Sequence, residues 1–278
     1  MNGKKLLADY APMCVIWVLI VLLFGALSEN FLTVGTLTTI AGQVPPLALI
    51  CCGMTLVLII GGIDLSVGSV LALGASILSV LLAKGCPLVF AVIAAVVSGG
   101  LMGLLNGAIS VLLKIPSFIV TLGTLKIAFG IAMWVTASET VTVGVKLEPF
   151  VARLPGGVPV SFLIALALVI LTQLTLSRTV YGRHLIAIGT NESAVRLAGV
   201  PTIWKRISVF GVTGLLVGLA SIFFAARLGG ANAEIGTGLE LSAIAAVVIG
   251  GTSLMGGRGS IVNSFVGALI ILTLEAGL

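Results

Sequence analysis

Charge is what this sequence has least of. Asp, Glu, Lys and Arg together make up 8% of its 278 residues, against 59% hydrophobic residues. A soluble domain carries roughly 25% charged residues, and so small a share cannot cover the surface of a soluble molecule this size. That excludes a cytoplasmic enzyme, a nucleic-acid binder and a disordered chain. Histidine occurs once, at His184, and aromatic residues are 6%. Without alternating strands and aromatic girdles, an outer-membrane barrel is excluded as well. The four cysteines, Cys14, Cys51, Cys52 and Cys86, sit mostly in apolar runs without the spacing of a zinc site. They read as small apolar helix residues. No Walker-type phosphate loop and no Gly-x-Ser-x-Gly occurs. An ATPase, hydrolase or intramembrane protease has no residues to run on, and no metal or cofactor is expected.

What is present is long Leu, Ile, Val, Ala and Gly runs, with 36 glycines and a mean hydropathy of +1.31. The solvent of such a chain is lipid, and its Gly content suits tight helix contacts. Nine candidate spans emerge, over residues 10–27, 39–60, 65–83, 88–113, 117–137, 160–176, 207–228, 239–254 and 261–274. The last two are short enough to be tilted, broken or re-entrant. Lys4 and Lys5 precede the first, and Ala26-Leu27-Ser28 loosely resembles a signal cleavage site; the spans that follow directly favour a retained helix.

The net charge of +5 is spread between the spans rather than along a basic stripe. With the N-terminus inside, the inner side collects Lys4, Lys5, Lys114, Arg178, Arg183, Arg196, Lys205, Arg206 and Arg258. The outer side collects Lys84, Lys146, Arg153 and Arg227. The excess fits a cytoplasmic N-terminus. The outer side also gathers Glu29, Glu139, Glu148, Glu234, Glu240 and Glu275, and a Pro/Gly-rich loop over residues 138–159 containing Pro149, Pro155, Gly156, Gly157 and Pro159. Nine spans leave the C-terminus outside, so either one span is miscounted or a final helix is lacking.

Three segments carry candidate chemistry. The first is the turn Gly61-Gly62-Ile63-Asp64-Leu65-Ser66-Val67-Gly68. Two glycines break the helix, and Asp64 or Ser66 can cap the next one. Asp64 is then a structural cap, a gate or hinge, or a proton site. The second is Gly250-Gly251-Thr252-Ser253-Leu254-Met255-Gly256-Gly257-Arg258-Gly259-Ser260, which echoes the first at an offset of 189 residues, a weak sign of an internal repeat. Third is the most polar stretch, residues 177–206, where Asn191 to Ala198 reads as a short helix capped by Asn191 and stopped by Gly199 and Pro201. So short a helix is not stable alone in water; it is a solvated connector or a docking helix for a cytoplasmic protein. Lys126 falls inside the fifth span, where it snorkels, pairs with an acid, or marks a later helix start.

These three segments, with Pro116-Ser117-Phe118-Ile119-Val120-Thr121-Leu122-Gly123-Thr124 and Ala225-Ala226-Arg227-Leu228-Gly229, resemble the ribose-type sugar permeases of bacterial ABC importers over essentially the whole chain. The fold class expected is an all-α polytopic membrane protein of nine to ten transmembrane helices, and the resemblance implies the type II-like ABC importer permease architecture. It implies a single transmembrane domain over residues 1–278, short of the family's usual last helix, in the bacterial inner membrane. Partners implied are a second permease copy in a homodimer or related heterodimer, a cytoplasmic ATPase of fused tandem nucleotide-binding domains, and an extracytoplasmic sugar-binding protein. No nucleic acid is implied. The ATPase is expected to dock on residues 177–206, with Gly182, Arg183, Gly189, Asn191, Glu192, Ala194, Arg196, Ala198 and Gly199 as candidates. Gate or hinge candidates are Gly61, Gly62, Asp64, Ser66, Gly68, Gly250, Gly251, Gly256 and Gly257. The solute implied is a pentose, hexose or related small sugar, which needs no buried charge in its path. An ion-coupled secondary carrier is the competing function, and it needs a midplane carboxylate, for which Asp64 is the one candidate; a non-transport scaffold predicts no solute dependence.

Overall fold

The computed structural model describes residues 3–28, 31–154 and 157–278, with side chains from residue 11 onward. Glu29, Pro155, Gly156 and the side chains of Lys4 and Lys5 therefore lie outside the described residues. Helices dominate: α1 (Gly3–Leu27), α2 (Val34–Ile59), α3 (Val67–Ala83), α4 (Leu88–Leu112), α5 (Ser117–Thr136), α6 (Glu148–Val151), α7 (Val160–Arg178), α8 (Val180–Leu197), α9 (Thr202–Leu228), α10 (Leu239–Ile249) and α11 (Ile261–Gly277). Starts follow local chemistry. Thr33, Thr179 and Ser260 accept the N–H of Thr36, Gly182 and Asn263, satisfying donors that the first turn leaves free. Pro87, Pro116 and Pro159 precede α4, α5 and α7, where a missing N–H costs nothing.

Among the described residues, α2, α4, α5, α7 and α9 are long and apolar enough to cross a membrane, while residues 11–27, α3, α10 and α11 are shorter apolar helices. Together they match the nine expected segments, with corrections at their bounds: α2 and α9 start at Val34 and Thr202 rather than at residues 39 and 207. Residues 63–66 lie outside any helix, so the third segment starts at Val67, not at residue 65. The eighth helix ends at Ile249 rather than residue 254; its 11 residues rise about 16 Å, half a bilayer. The polar stretch is also more helical than expected. A helix runs from Val180 to Asn191, kinks there (φ −158°, ψ 91°), and continues. Asn191 Oδ1 accepts the N–H of Ala194 at 3.0 Å, so the short capped helix exists, joined to one that the sequence analysis did not foresee. Leu185 and Ile188, one turn apart and fully buried, hold that earlier half.

Helices α2 and α9 form the buried centre, and α4, α5 and α7 keep most of their surface outward. The α4–α9 contact is backbone on backbone. Gly99, Gly103 and Gly107 of α4 recur at every fourth residue and face Gly214, Phe210 and Ile207 of α9. A Cβ on Gly103 would stand inside the Phe210 carbonyl oxygen, and one on Gly99 inside that of Gly214. Small residues at this spacing let two helices approach in lipid, where the hydrophobic effect gives them no reason to associate. On the side of α3's C-terminus, residues 138–154 form a compact cover. Strand β1 (Val141–Thr142) pairs antiparallel with β2 (Gly230–Ala231), Leu147 is buried, and Lys146 Nζ donates to the Leu82 carbonyl at 2.6 Å, a cation at a helix C-terminus.

Gly103→Ala should lower the melting temperature of the detergent-extracted protein by several degrees, overpacking costing about 1–3 kcal/mol. Gly42→Ala, whose added Cβ meets nothing within 4 Å, should not. Equal effects, read by thermal-shift chromatography, would contradict the close α4–α9 packing.

Candidate functional site

The first Gly-rich turn is where a helix stops inside the protein and the chain runs on without hydrogen bonds of its own. Gly61 (φ +73°) ends α2 in the left-handed conformation. Residues 62–66 then run without regular secondary structure. Side chains of α4 and α5 supply what a helix would have supplied. Ile63 N–H donates to Ser117 Oγ at 2.9 Å and Leu65 N–H to Thr121 Oγ1 at 3.0 Å. Four residues of helix rise about 6 Å, nearly the span of two extended residues; the hydroxyls of α5 therefore fall in register with alternate amides. Ser66 closes the ladder. Its N–H and hydroxyl both donate to Asp64 Oδ1 (2.9 and 2.6 Å), its Oγ accepts from Asn106 Nδ2 at 2.9 Å, and Asn106 Oδ1 accepts from Thr124 at 2.5 Å. Asp64, Ser66 and Asn106 are at most 3% exposed. Asp64 thus holds Ser66, the residue from which α3 starts.

The same break has a counterpart ahead of α10. Gly68, in the first turn of α3, lies directly on Gly236; a Cβ on either would collide with the other's carbonyl. Glu240 brings Oε2 beside Gly68 from the first turn of α10. The N-terminal ends of α3 and the half-length α10 therefore meet. Ser66 stands level with Thr124, about 10 Å along α5 from Ser117 at 1.5 Å per residue, so they meet well inside the bundle. Glu240, which the sequence puts among the acids of the outer side, takes part in this junction.

The second Gly-rich turn and α8 close on this same C-terminal end of α2. Gly251 (φ +81°) plays the part of Gly61, its N–H on Val248 O as Gly61's is on Leu58 O. The structural offset between the turns is thus 190 residues, one more than the sequence echo suggests. The later turn is longer, and Gln173 of α7 caps its far end by accepting the Ile261 N–H at 2.9 Å. Gly257 N–H donates to the Ile59 carbonyl at 2.8 Å. Gly189 of α8 packs on both: its Cβ would overlap Ile59 O and come within 2.5 Å of Gly257 N. Gly256 in turn lies against the Gly189 and Ile59 carbonyls. Three segments singled out separately in the sequence form one backbone junction.

The other residues of the polar stretch divide by environment. Arg183, Asn191, Ala194, Arg196, Ala198 and Gly199 are exposed. Gly182 is buried on the Leu176 carbonyl and makes the bend from α7 to α8. Glu192 pairs with Arg206 at 2.8 Å, tying the kinked half of α8 to α9. Burial lifts the Tyr181 hydroxyl above its ordinary phenol range, against a lowering hydrogen bond with Ser208. Ser117, Thr121 and Thr124 entered the sequence reading without a role, and Asn106 and Gly236 did not enter it. The four-then-three spacing of hydroxyls on one helix face was the available signal for the first group, and Gly236-Thr237-Gly238 before an apolar run for the last.

Thr121→Val keeps shape and leaves the buried Leu65 amide unpaired, at a cost of about 1–3 kcal/mol. Its melting temperature should fall well below that of Thr175→Val, whose hydroxyl bonds its own helix on an exposed face. Equal melting temperatures would remove the ladder from the account.

A family model described as the branched-chain amino acid transport system / permease component matches residues 36–278. The ribose import permease protein RbsC of Escherichia coli (strain K12) is 38% identical over 280 residues, covering 99% of this chain and 87% of the relative. RbsC of Haemophilus influenzae is 36% identical over 259 residues, 91% of this chain and 80% of the relative. The autoinducer 2 import system permease protein LsrC of Shigella flexneri is 37% identical over 260 residues, 93% and 76% respectively. No solved structure matches. These relatives agree with the family that the motifs resemble. With the family model spanning most of its length, the chain belongs to the branched-chain amino acid transport system permease component family, as an all-α, multi-pass inner-membrane permease subunit of an ABC importer.

Proposed function

We propose that this permease passes a monosaccharide, a ribose-like pentose or a hexose, across the bacterial inner membrane with its N-terminus in the cytoplasm. It works beside a second permease subunit, a copy of itself or a close homologue. A cytoplasmic ATPase of two fused nucleotide-binding domains hydrolyses ATP and docks on residues 177–206, and an extracytoplasmic binding protein delivers the sugar. The names of the relatives support the solute class.

The observation that carries the mechanical part is the Gly189 junction. Gly189 touches the Ile59 carbonyl and the Gly257 amide with no side chain between. A push on the exposed half of α8 therefore reaches both Gly-rich turns as a displacement of backbone. Those turns end α2 and α10 and start α3 and α11. Gly61, Gly62, Gly250, Gly251, Gly256 and Gly257 serve as hinges, while the Asp64–Ser66 pair and Gly68 hold the helix ends that separate and rejoin. Packed elements of this kind switch between discrete arrangements, as alternating access requires. Asp64 Oδ1 already takes two hydrogen bonds from Ser66, which favours a hinge over a proton carrier.

The chain, co-expressed with its neighbouring genes and tagged, should co-purify with an ATPase. Replacing residues 181–199 by a Gly/Ser linker should abolish this, and Arg196→Glu should reduce it about tenfold. Gly189→Val should keep the ATPase bound and lower solute taken up per ATP hydrolysed at least tenfold. A folded chain that never captures an ATPase would overturn the docking assignment. Normal coupling in Gly189→Val would overturn the transmission route.

A further inference from the structure

Beside the junction of α3 and α10 lies a cavity of about 450 Å³, lined among others by Ser69, Lys126, Phe129, Glu234, Thr237 and Glu240. Its height follows from the ladder. Lys126 lies about 14 Å along a 20-residue α5 whose whole rise is about 30 Å, near the middle of the span. Ser69 sits three residues above Ser66, which is level with Thr124 through Asn106. Ser69, Lys126 and Glu240 thus share one level. A lysine so far from either helix end is too deep to snorkel, and intramembrane charge is costly enough that it marks a path or a ligand site. Neither Lys126 nor Glu240 forms an ion pair with another described residue; the Glu192–Arg206 pair is the one found among them. The cavity therefore holds a donor, two carboxylate acceptors and two hydroxyls, with Phe129 as an apolar wall, and these groups are not spent on each other.

We infer that this cavity is a transit site for the solute, where Lys126 donates to and Glu240 accepts from the hydroxyls of a neutral sugar passing the break between α3 and α10. The inference rests on the importer reading of the preceding section and adds the residues that touch the solute. A polyol presents donors and acceptors around an apolar ring, and the lining offers both kinds plus an aromatic face. Three charged groups and two hydroxyls give a hold that orients the sugar without retaining it. Gly68 and Gly236, in backbone contact next to Ser69 and Thr237 of the lining, are the point where parting of α3 and α10 would release it.

The test uses the whole complex, with ATPase and binding protein, in proteoliposomes. D-Ribose and 2-deoxy-D-ribose uptake is divided by ATP hydrolysed. Lys126→Gln and Glu240→Gln should each lower ribose uptake per ATP about tenfold, the effect of losing one charge-assisted hydrogen bond. They should also shrink the preference for ribose over its deoxy analogue, a readout that a packing defect does not move, and Lys126→Arg should restore most of both. Wild-type coupling and preference in Lys126→Gln and Glu240→Gln overturn this inference alone. A wild-type complex that hydrolyses ATP yet imports no ribose overturns the solute reading beneath it. A variant that no longer co-purifies with the ATPase is replaced by Ser69→Ala, for which the same loss of preference is expected and an unchanged preference counts against the site.

Discussion

An amide that leaves a helix inside a bilayer must find a partner, because lipid offers none and each orphan costs several kcal/mol. The architecture turns on that constraint. Residues 62–66 run without helix inside the bundle; Ser117 and Thr121 of α5 meet the Ile63 and Leu65 amides and Asp64 meets that of Ser66, while Asn106 and Thr124 hold the Ser66 hydroxyl. The break lets α3 begin midway, and a half-length α10 does likewise from the other direction. Where the two starts meet, Gly68 and Gly236 bring backbone against backbone. A continuous pair of helices would satisfy every amide more simply and would leave nothing to open.

Glycine serves three separate purposes here. In the α4–α9 contact it removes side chains so that helices pack in lipid. At Gly61 and Gly251 it supplies positive φ to end helices. At Gly189 it allows α8 to touch the ends of α2 and of the second turn at once. The last arrangement places a charged, largely exposed segment one contact away from two otherwise buried turns, which is what mechanical coupling to a soluble ATPase asks of a membrane subunit.

Much of this was legible in the residues. Runs of apolar residues gave the spans, because a lipid-length helix needs about 20 of them in sequence. Asn191 and Gly199 announced their cap and stop through local chemistry. Less legible was anything that depends on distant pairing. The helix from Val180 to Asn191 carries only the four-residue apolar run 185–188, far short of a span; Leu185 and Ile188 hold it against the bundle, and so short a run does not signal that burial. The part of Glu240 in the junction was hidden as well, because re-entry ahead of α10 is built from Gly236 meeting Gly68, some 170 residues away in sequence. The repeat between the turns was visible but one residue out of register, since identical letters (Gly61 and Gly250) occupy different backbone positions and φ, not identity, sets the match.

The account centres on α8 and the second turn moving as one body. A short bismaleimide link between Thr190→Cys and Arg258→Cys tests this most directly, in a background where exposed Cys14 and partly exposed Cys86 are serine. Thr190 already packs on Gly257, next to Arg258. If the junction is rigid, the linked complex imports solute at the rate of the unlinked one. Loss of import on linking, with ATP hydrolysis intact, would show that α8 slides past the turn and would contradict the account.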